Sequence, residues 1–179
     1  MMKLVGISGT VVGSKTKVLV EKVIEEVTKY DPKIEVELLD LKEYDVQFCD
    51  GRDPSAYTGD TKEVIEKVLS ADCFVIGTPI FQASLSGALK NLFDLLPVDA
   101  LRKKVIGFIA NGGTFQHYLV VENQLKPIVS YFRAYVAPST VYAHESHFNH
   151  KNEISDQDVL NRIGQLAEEV VFMQKALKK

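Results

Sequence analysis

The chain has 179 residues, 46% of them hydrophobic and 25% charged, ordinary values for one folded domain that leave no room for a disordered or fibrous reading. A net charge of −3 with mixed signs and no dense Lys/Arg block argues against a nucleic-acid or membrane-surface partner. Two cysteines without CxxC spacing exclude a disulfide framework, no apolar run is long enough to span a bilayer, and MMKLVGISG shows no leader, so a cytoplasmic location is expected.

Lys3 to Ser8 (KLVGIS) is a compact apolar run that predicts a first buried strand. A loop with two glycines, SGTVVGSKT, follows. Val18, Leu19, Val23, Ile24 and Val27 then keep a period near 3.6, which predicts a helix up to Tyr30. After the Asp31-Pro32 turn, Ile34, Val36 and Leu38 alternate with charged residues, as in a less buried second strand. Lys42 to Asp60 has turn signals at Gly51, Pro54 and Gly59 and reads as an irregular surface excursion. Thr61 to Ala71 carries Val64, Ile65, Val68 and Leu69 on one helical face.

Cys73 to Gly77 (CFVIG) predicts a third strand, which Pro79 should stop for want of a ladder N–H. A loop through Phe81 and Gln82 leads to Ser84 or Ser86 as the cap of a helix from Gly87 to Leu96. Lys104 to Ala110 (KVIGFIA) predicts a fourth strand, ending in Asn111-Gly112-Gly113-Thr114. A helix from Phe115 to Ala134 should kink or break at Pro127. Tyr135 to Tyr142 predicts a fifth strand, and Pro138 inside it points to a sheet edge. His144 to Lys151 reads as a solvated polar loop, since HESHFNH lacks the H-E-x-x-H spacing of a zinc site. Ser155 to Lys178 is a last amphipathic helix.

Strands that alternate with helices predict a three-layer α/β sandwich over residues 1–179 as a single domain. Five parallel strands fit the flavodoxin-like order 2-1-3-4-5. In that topology the loops after strands one, three and four converge at one sheet edge, and these are the three most unusual stretches of the chain. In the first, Gly9 and Gly13 let backbone N–H groups turn inward. Ser8, Thr10, Ser14 and Thr16 add hydroxyls, Lys15 adds charge, and the following helix points its N-terminus at the same spot. That is an anion cradle, although it matches neither the Walker A spacing nor G-x-G-x-x-G; the alternative is a capped turn without a ligand. The second loop offers Pro79, Ile80 and Phe81 as an apolar floor, and the third offers the backbone of Gly112 and Gly113. A phosphate site beside a flat slot suits a mononucleotide with a large aromatic ring, FMN being the obvious candidate; for Phe81 ordinary core packing stays open, and for Gly112-Gly113 a simple turn.

The segments SGTVVGSKT, TPIFQASLSGALKNLFDLLP and NGGTFQHYLVVENQLKPIV resemble the NADPH-dependent FMN reductase family, and within it the branch of bacterial alkanesulfonate utilisation. The resemblance covers about residues 3 to 145. It implies that Ser8, Thr10, Ser14, Lys15 and Thr16 hold the FMN phosphate. Thr78, Pro79, Ile80, Phe81 and Gln82 would line the ribityl chain and ring. Asn111, Gly112, Gly113, Thr114 and His117 would sit by the pyrimidine end. Lys15 stands where relatives often carry arginine, and Leu85 where some carry an aromatic residue.

The activity so implied is hydride transfer from NADPH to FMN, with no catalytic acid or base from the protein and no metal. Phe81 would leave one flavin face open, and the Gly112 and Gly113 amides would stabilise charge near N1 and O2. Reduced FMN would serve a partner monooxygenase, and a homodimer or homotetramer is implied. The rival readings are a bound-FMN reductase of quinones, azo dyes or metal oxyanions, a flavodoxin-type electron carrier, and a nucleotide hydrolase.

Overall fold

The computed structural model describes residues 2–178. Five parallel strands form one sheet: β1 (Lys3–Ser8), β2 (Glu35–Asp40), β3 (Cys73–Phe81), β5 (Val105–Gly112) and β6 (Tyr135–His144), in the order β2-β1-β3-β5-β6. A two-residue strand, β4 (Ser84–Leu85), pairs antiparallel with the end of β3 outside this path. Leaving that short strand aside, the order is the expected flavodoxin-like 2-1-3-4-5.

The period-2 pattern of the strands divides the core in two. Val5, Ile7, Phe74, Ile76, Ile106 and Phe108 face one side, under α2 (Gly59–Ser70), α3 (Gly87–Leu95) and α4 (Lys126–Tyr131). Leu4, Cys73, Val75, Val105 and Ile109 face the other, under α1 (Lys15–Tyr30) and α5 (Gln157–Leu177). Both faces are covered, which is why the central strands read as continuous apolar runs. Among the described residues no helix is long and apolar enough to cross a membrane.

Pro79 does not stop β3; the strand runs on to Phe81, with Pro79 opposite Asn111 on β5. The reason lies on the other side. β1 ends at Ser8 opposite Gly77, and Gly9 N–H donates to the Gly77 carbonyl at 2.8 Å. Residues alternate in the side they face, so the missing Pro79 N–H faces the flank that β1 has vacated. Beyond it the expected open loop is a hairpin, turning at Gln82 (φ 48°) and Ala83 (φ 60°). Gln124 ties it down: its side chain accepts from the Ser84 hydroxyl at 2.6 Å and donates to the Ala83 carbonyl at 3.2 Å.

The single helix expected over Phe115 to Ala134 is instead a 3-10 turn (Phe115–Tyr118), a wide π turn (Val121–Leu125) and α4. Residues 119–131 are helical without a break, and Pro127 lies inside that stretch just after the π turn, so the distortion expected at Pro127 takes the form of that wide turn. On β6, Pro138 marks a break in register. Ile106 pairs with Val136 but Phe108 with Thr140, so β6 carries extra residues there. The Ser139 N–H next to it is taken by Glu169 of α5 at 2.8 Å.

Candidate functional site

The three loops meet at the carboxyl edge of the sheet, at the switch between β1 and β3. Two adjoining cavities lie there, of about 200 and 280 Å³. Lys15, Pro79, Phe81 and Asn111 line both. Ile80, Gly112 and Gly113 also line the first, and Gly13, Ser14 and Thr16 the second. A larger cavity of about 680 Å³, beside α2 and the end of α3, shares no lining residue with them.

The floor of the first loop is built by the fold. Gly9 is wedged between β3 and α3: a Cβ on it would stand 2.7 Å from the Gly77 carbonyl oxygen and 3.0 Å from the Leu89 Cβ. Ser86, at the start of α3, donates its hydroxyl to the Gly9 carbonyl and accepts from the Leu89 N–H at 3.1 Å. Thr78 is buried and works on the protein side, accepting from the Ser86 N–H at 3.1 Å and donating to the Pro79 carbonyl at 3.0 Å. Gly13 adopts φ 75°, the left-handed turn that carries the chain into α1.

α1 opens with features that favour an anion. Its first turn has no acidic residue, and Ser14, its N-cap residue, gives no side-chain bond to its own helix. The first N–H groups and the helix dipole are therefore aimed at the cavity, with Lys15 beside them. Thr16 is buried and donates its hydroxyl to the Asn111 Oδ1 at 2.7 Å, which joins the first and third loops. Thr10 turns inward as well: its hydroxyl donates to the Val12 carbonyl at 3.0 Å and accepts from the Val12 N–H at 3.2 Å. Ser8 is fully buried in the sheet, and its hydroxyl has no hydrogen-bond partner. Ser8, Thr10 and Thr78 thus shape the cradle from beneath and do not line it.

The slot above has apolar and polar walls. Phe81 is 47% exposed at its mouth, and Phe115 and Val12 are each about half exposed nearby. Gln82 is exposed at the hairpin tip, beyond the lining. The third loop is held from β6: the Tyr142 hydroxyl donates to the Thr114 carbonyl, and the His144 Nε2 to the Gly113 carbonyl at 3.0 Å. His144 Nδ1 accepts from the Ser146 N–H at 3.1 Å, which leaves the proton on Nε2. Burial pushes the Tyr142 phenol above its ordinary pKa, so it stays a donor. His117 follows this loop with its Nδ1 buried and unpartnered.

A fourth wall was not legible as such. The segment expected to be a solvated loop after β6 forms a 3-10 turn, Glu145–His147, and then buries Phe148. Glu145 and Phe148 line the first cavity, and Asn152 lines the second. Phe115 stacks on His144, ring centroids 4.2 Å apart. The lone Phe148 in a polar stretch was the one available signal.

The donor set fits FMN. Helix N–H groups, Ser14 and Lys15 suit a phosphate, an apolar rim suits a planar ring, and backbone at Gly112-Gly113 suits its polar edge.

Known proteins bear on the same point. The family model described as NADPH-dependent FMN reductase matches residues 2–148. The chain is 63% identical to a protein of Geobacillus thermodenitrificans named NAD(P)H-dependent FAD/FMN reductase, over 99% of this chain and 96% of that one. It is 32% identical to an FMN reductase (NADPH) of Pseudomonas aeruginosa, over 86% of this chain and 83% of that one. Among solved structures, an oxidoreductase of Corynebacterium diphtheriae superposes with a TM-score of 0.80 at 26% identity, with 98% of each chain covered. On its fold, its site and these relatives, the chain belongs to the NADPH-dependent FMN reductase family.

Proposed function

We propose that residues 1–179 act as one flavin-binding unit that reduces FMN with NAD(P)H. The observation that carries this reading is the convergence of the α1 N-terminus, the Pro79–Phe81 floor and the Gly112-Gly113 loop on two joined cavities. When the ligands are bound, the chemistry is a hydride passed from the nicotinamide to the flavin ring.

The protein's share is binding and positioning. Ser14, Lys15 and the first N–H groups of α1 hold the phosphate. Thr16 and Asn111, bonded to each other, keep the first and third loops at a fixed separation. Phe81 and Ile80 give the ring an apolar face. Backbone around Gly112 and Gly113 supplies fixed dipoles to the pyrimidine edge, which need no reorganisation as charge develops there. Ser8, Thr10 and Thr78 support the loops from below, and Gln82, Thr114 and His117 frame the rim.

Reduced FMN leaves for a flavin-dependent monooxygenase in the cytoplasm. Two copies associate through α3 and α4, where Tyr131 is 70% exposed beside a groove of about 330 Å³ lined by Phe93, Val98 and Ile128. A monomer by sedimentation at micromolar concentration refutes that association.

The deciding experiment is anaerobic NADPH oxidation by the purified protein, with and without added FMN, after its visible spectrum is recorded. Turnover that depends on added FMN supports the reading. A yellow protein that passes electrons to a quinone or azo dye instead supports a retained flavin with another acceptor. No flavin binding and no NADPH consumption refute both.

A further inference from the structure

Ser14 opens α1, yet its hydroxyl gives that helix no hydrogen bond. It accepts instead from the side-chain amide of Asn152 at 3.2 Å, 138 residues further along the chain. A serine hydroxyl has one proton and two acceptor lone pairs. With a lone pair held by Asn152, the Ser14 proton is left to be donated into the cavity that both residues line.

Asn152 is itself held firmly. It sits at φ 60°, and its N–H donates to the Asn149 carbonyl at 2.9 Å. The Asn149 Oδ1 accepts from the N–H groups of Lys151 and Glu153 at 2.9 and 3.0 Å. Phe148 and Ile154 close the hairpin with an antiparallel bridge. The base of the same hairpin also holds Lys15, whose Nζ lies 5.3 Å from the centre of the buried Phe148 ring. So one hairpin, 148–154, fixes both side chains that flank the α1 N-terminus. Its tip lies beyond residue 148, where the match to the family model ends.

We propose that this hairpin makes the site selective for a flavin with a terminal phosphate, and that Asn152 is the positioning residue that aims the Ser14 hydroxyl at it. The chemistry of the pair suits a phosphomonoester dianion. A carboxamide N–H holds the serine oxygen, the serine proton points at the anion, and Lys15 supplies charge without its own freedom to wander over the surface. Riboflavin, which has no phosphate, gains nothing from any of the three. The inference rests on the flavin-reductase reading above.

The test is flavin fluorescence quenching, with FMN and riboflavin titrated separately into the full chain. Asn152→Gly removes the amide and keeps the left-handed backbone, while Asn152→Asp keeps the shape but can only accept. Asn152→Gly is expected to weaken FMN about five- to tenfold, the size of one ordinary hydrogen bond, here the one that aims Ser14, with riboflavin affinity unchanged. Asn152→Asp is expected to weaken FMN further, by repulsion. In a Ser14→Ala background the effect of Asn152→Gly is expected to fall below about twofold, because the two residues act through one bond. The KM for FMN is expected to rise in step with the loss of affinity. Unchanged FMN affinity in Asn152→Gly, a parallel loss for riboflavin, or full additivity with Ser14→Ala overturns the proposal while the flavin reading stands. A wild-type protein that binds neither flavin overturns both.

Discussion

The Tyr142 phenol, on β6, donates to the Thr114 carbonyl at 2.6 Å and so ties the third site loop to the neighbouring strand. With His144 holding the Gly113 carbonyl beside it, two successive peptide planes are fixed. In a trans peptide the N–H points opposite the carbonyl, so the Thr114 and Phe115 N–H groups face away from β6. Tyr142→Phe keeps the ring and removes the bond. It should cost about 1 kcal/mol of local stability. Hydrogen exchange at residues 113–115 should accelerate roughly fivefold, with a weaker FMN affinity; unchanged exchange would show that the bond does not hold the loop.

Gly9 has no room for a side chain, because the carbonyl oxygen of Gly77 and the Cβ of Leu89 occupy the space. Neither is the far end of a flexible side chain. Gly9→Ala should therefore push β1's end away from α3, at about 1–3 kcal/mol. Chemical denaturation gives the stability and flavin titration the site. A variant as stable as the parent and equally able to bind flavin contradicts this packing.

Acid should act on β2. Burial works against ionisation of Glu37, but the ammonium groups of Lys3, at 2.8 Å, and Lys67 outweigh it and hold the carboxyl below its usual pKa. A carboxyl depressed on folding stabilises the protein above its unfolded pKa, near 4.5. That contribution is lost as the pH falls through the lower folded value. Glu37→Gln should be less stable than the parent at pH 6, and the gap should close toward pH 3. Urea unfolding at both pH values checks it; a constant gap refutes the linkage.

The two thiols should differ in reactivity. Cys73 is fully buried and burial pushes its pKa up to about 12, so its thiolate is scarce. Cys49 is only half-buried, and its Sγ donates to the Asp94 carbonyl at 3.3 Å. Titration of the native protein with a chromogenic disulfide should release one equivalent, and a second only in denaturant. Two equivalents under native conditions would contradict the burial of Cys73.

The periodic parts of this fold were legible. Apolar runs such as CFVIG and KVIGFIA, and the spacing of Val18, Leu19 and Val23, place strands and helices because core contact imposes those periods. Ser86, one of the two caps considered for α3, fills that role. What could not be read depended on partners distant in sequence. Pro79 looks like a stop until one sees that β1 has ended beside it. Gln82-Ala83 turns a hairpin without a glycine because Gln124 holds it. The convergence of Lys15, Phe81 and Asn111 followed from topology and is found. The inward turn of Ser8, Thr10 and Thr78 was hidden, since a hydroxyl beside a glycine suits a ligand and a buried backbone bond equally well. Asn152 was invisible for a different reason: its partner, Ser14, lies 138 residues away in the chain.

The slip in register at Pro138 also decides how this sheet ends. Pro138 has no N–H to offer a neighbouring strand, and the Ser139 N–H is already engaged by Glu169. At the opposite border, β2 carries Glu35 and Glu37, each engaged by Lys3. Neither border offers an incoming strand a regular, uncharged row of free donors and acceptors. At these two points an added strand of another copy would meet a missing donor and charged side chains, which works against growth by strand addition.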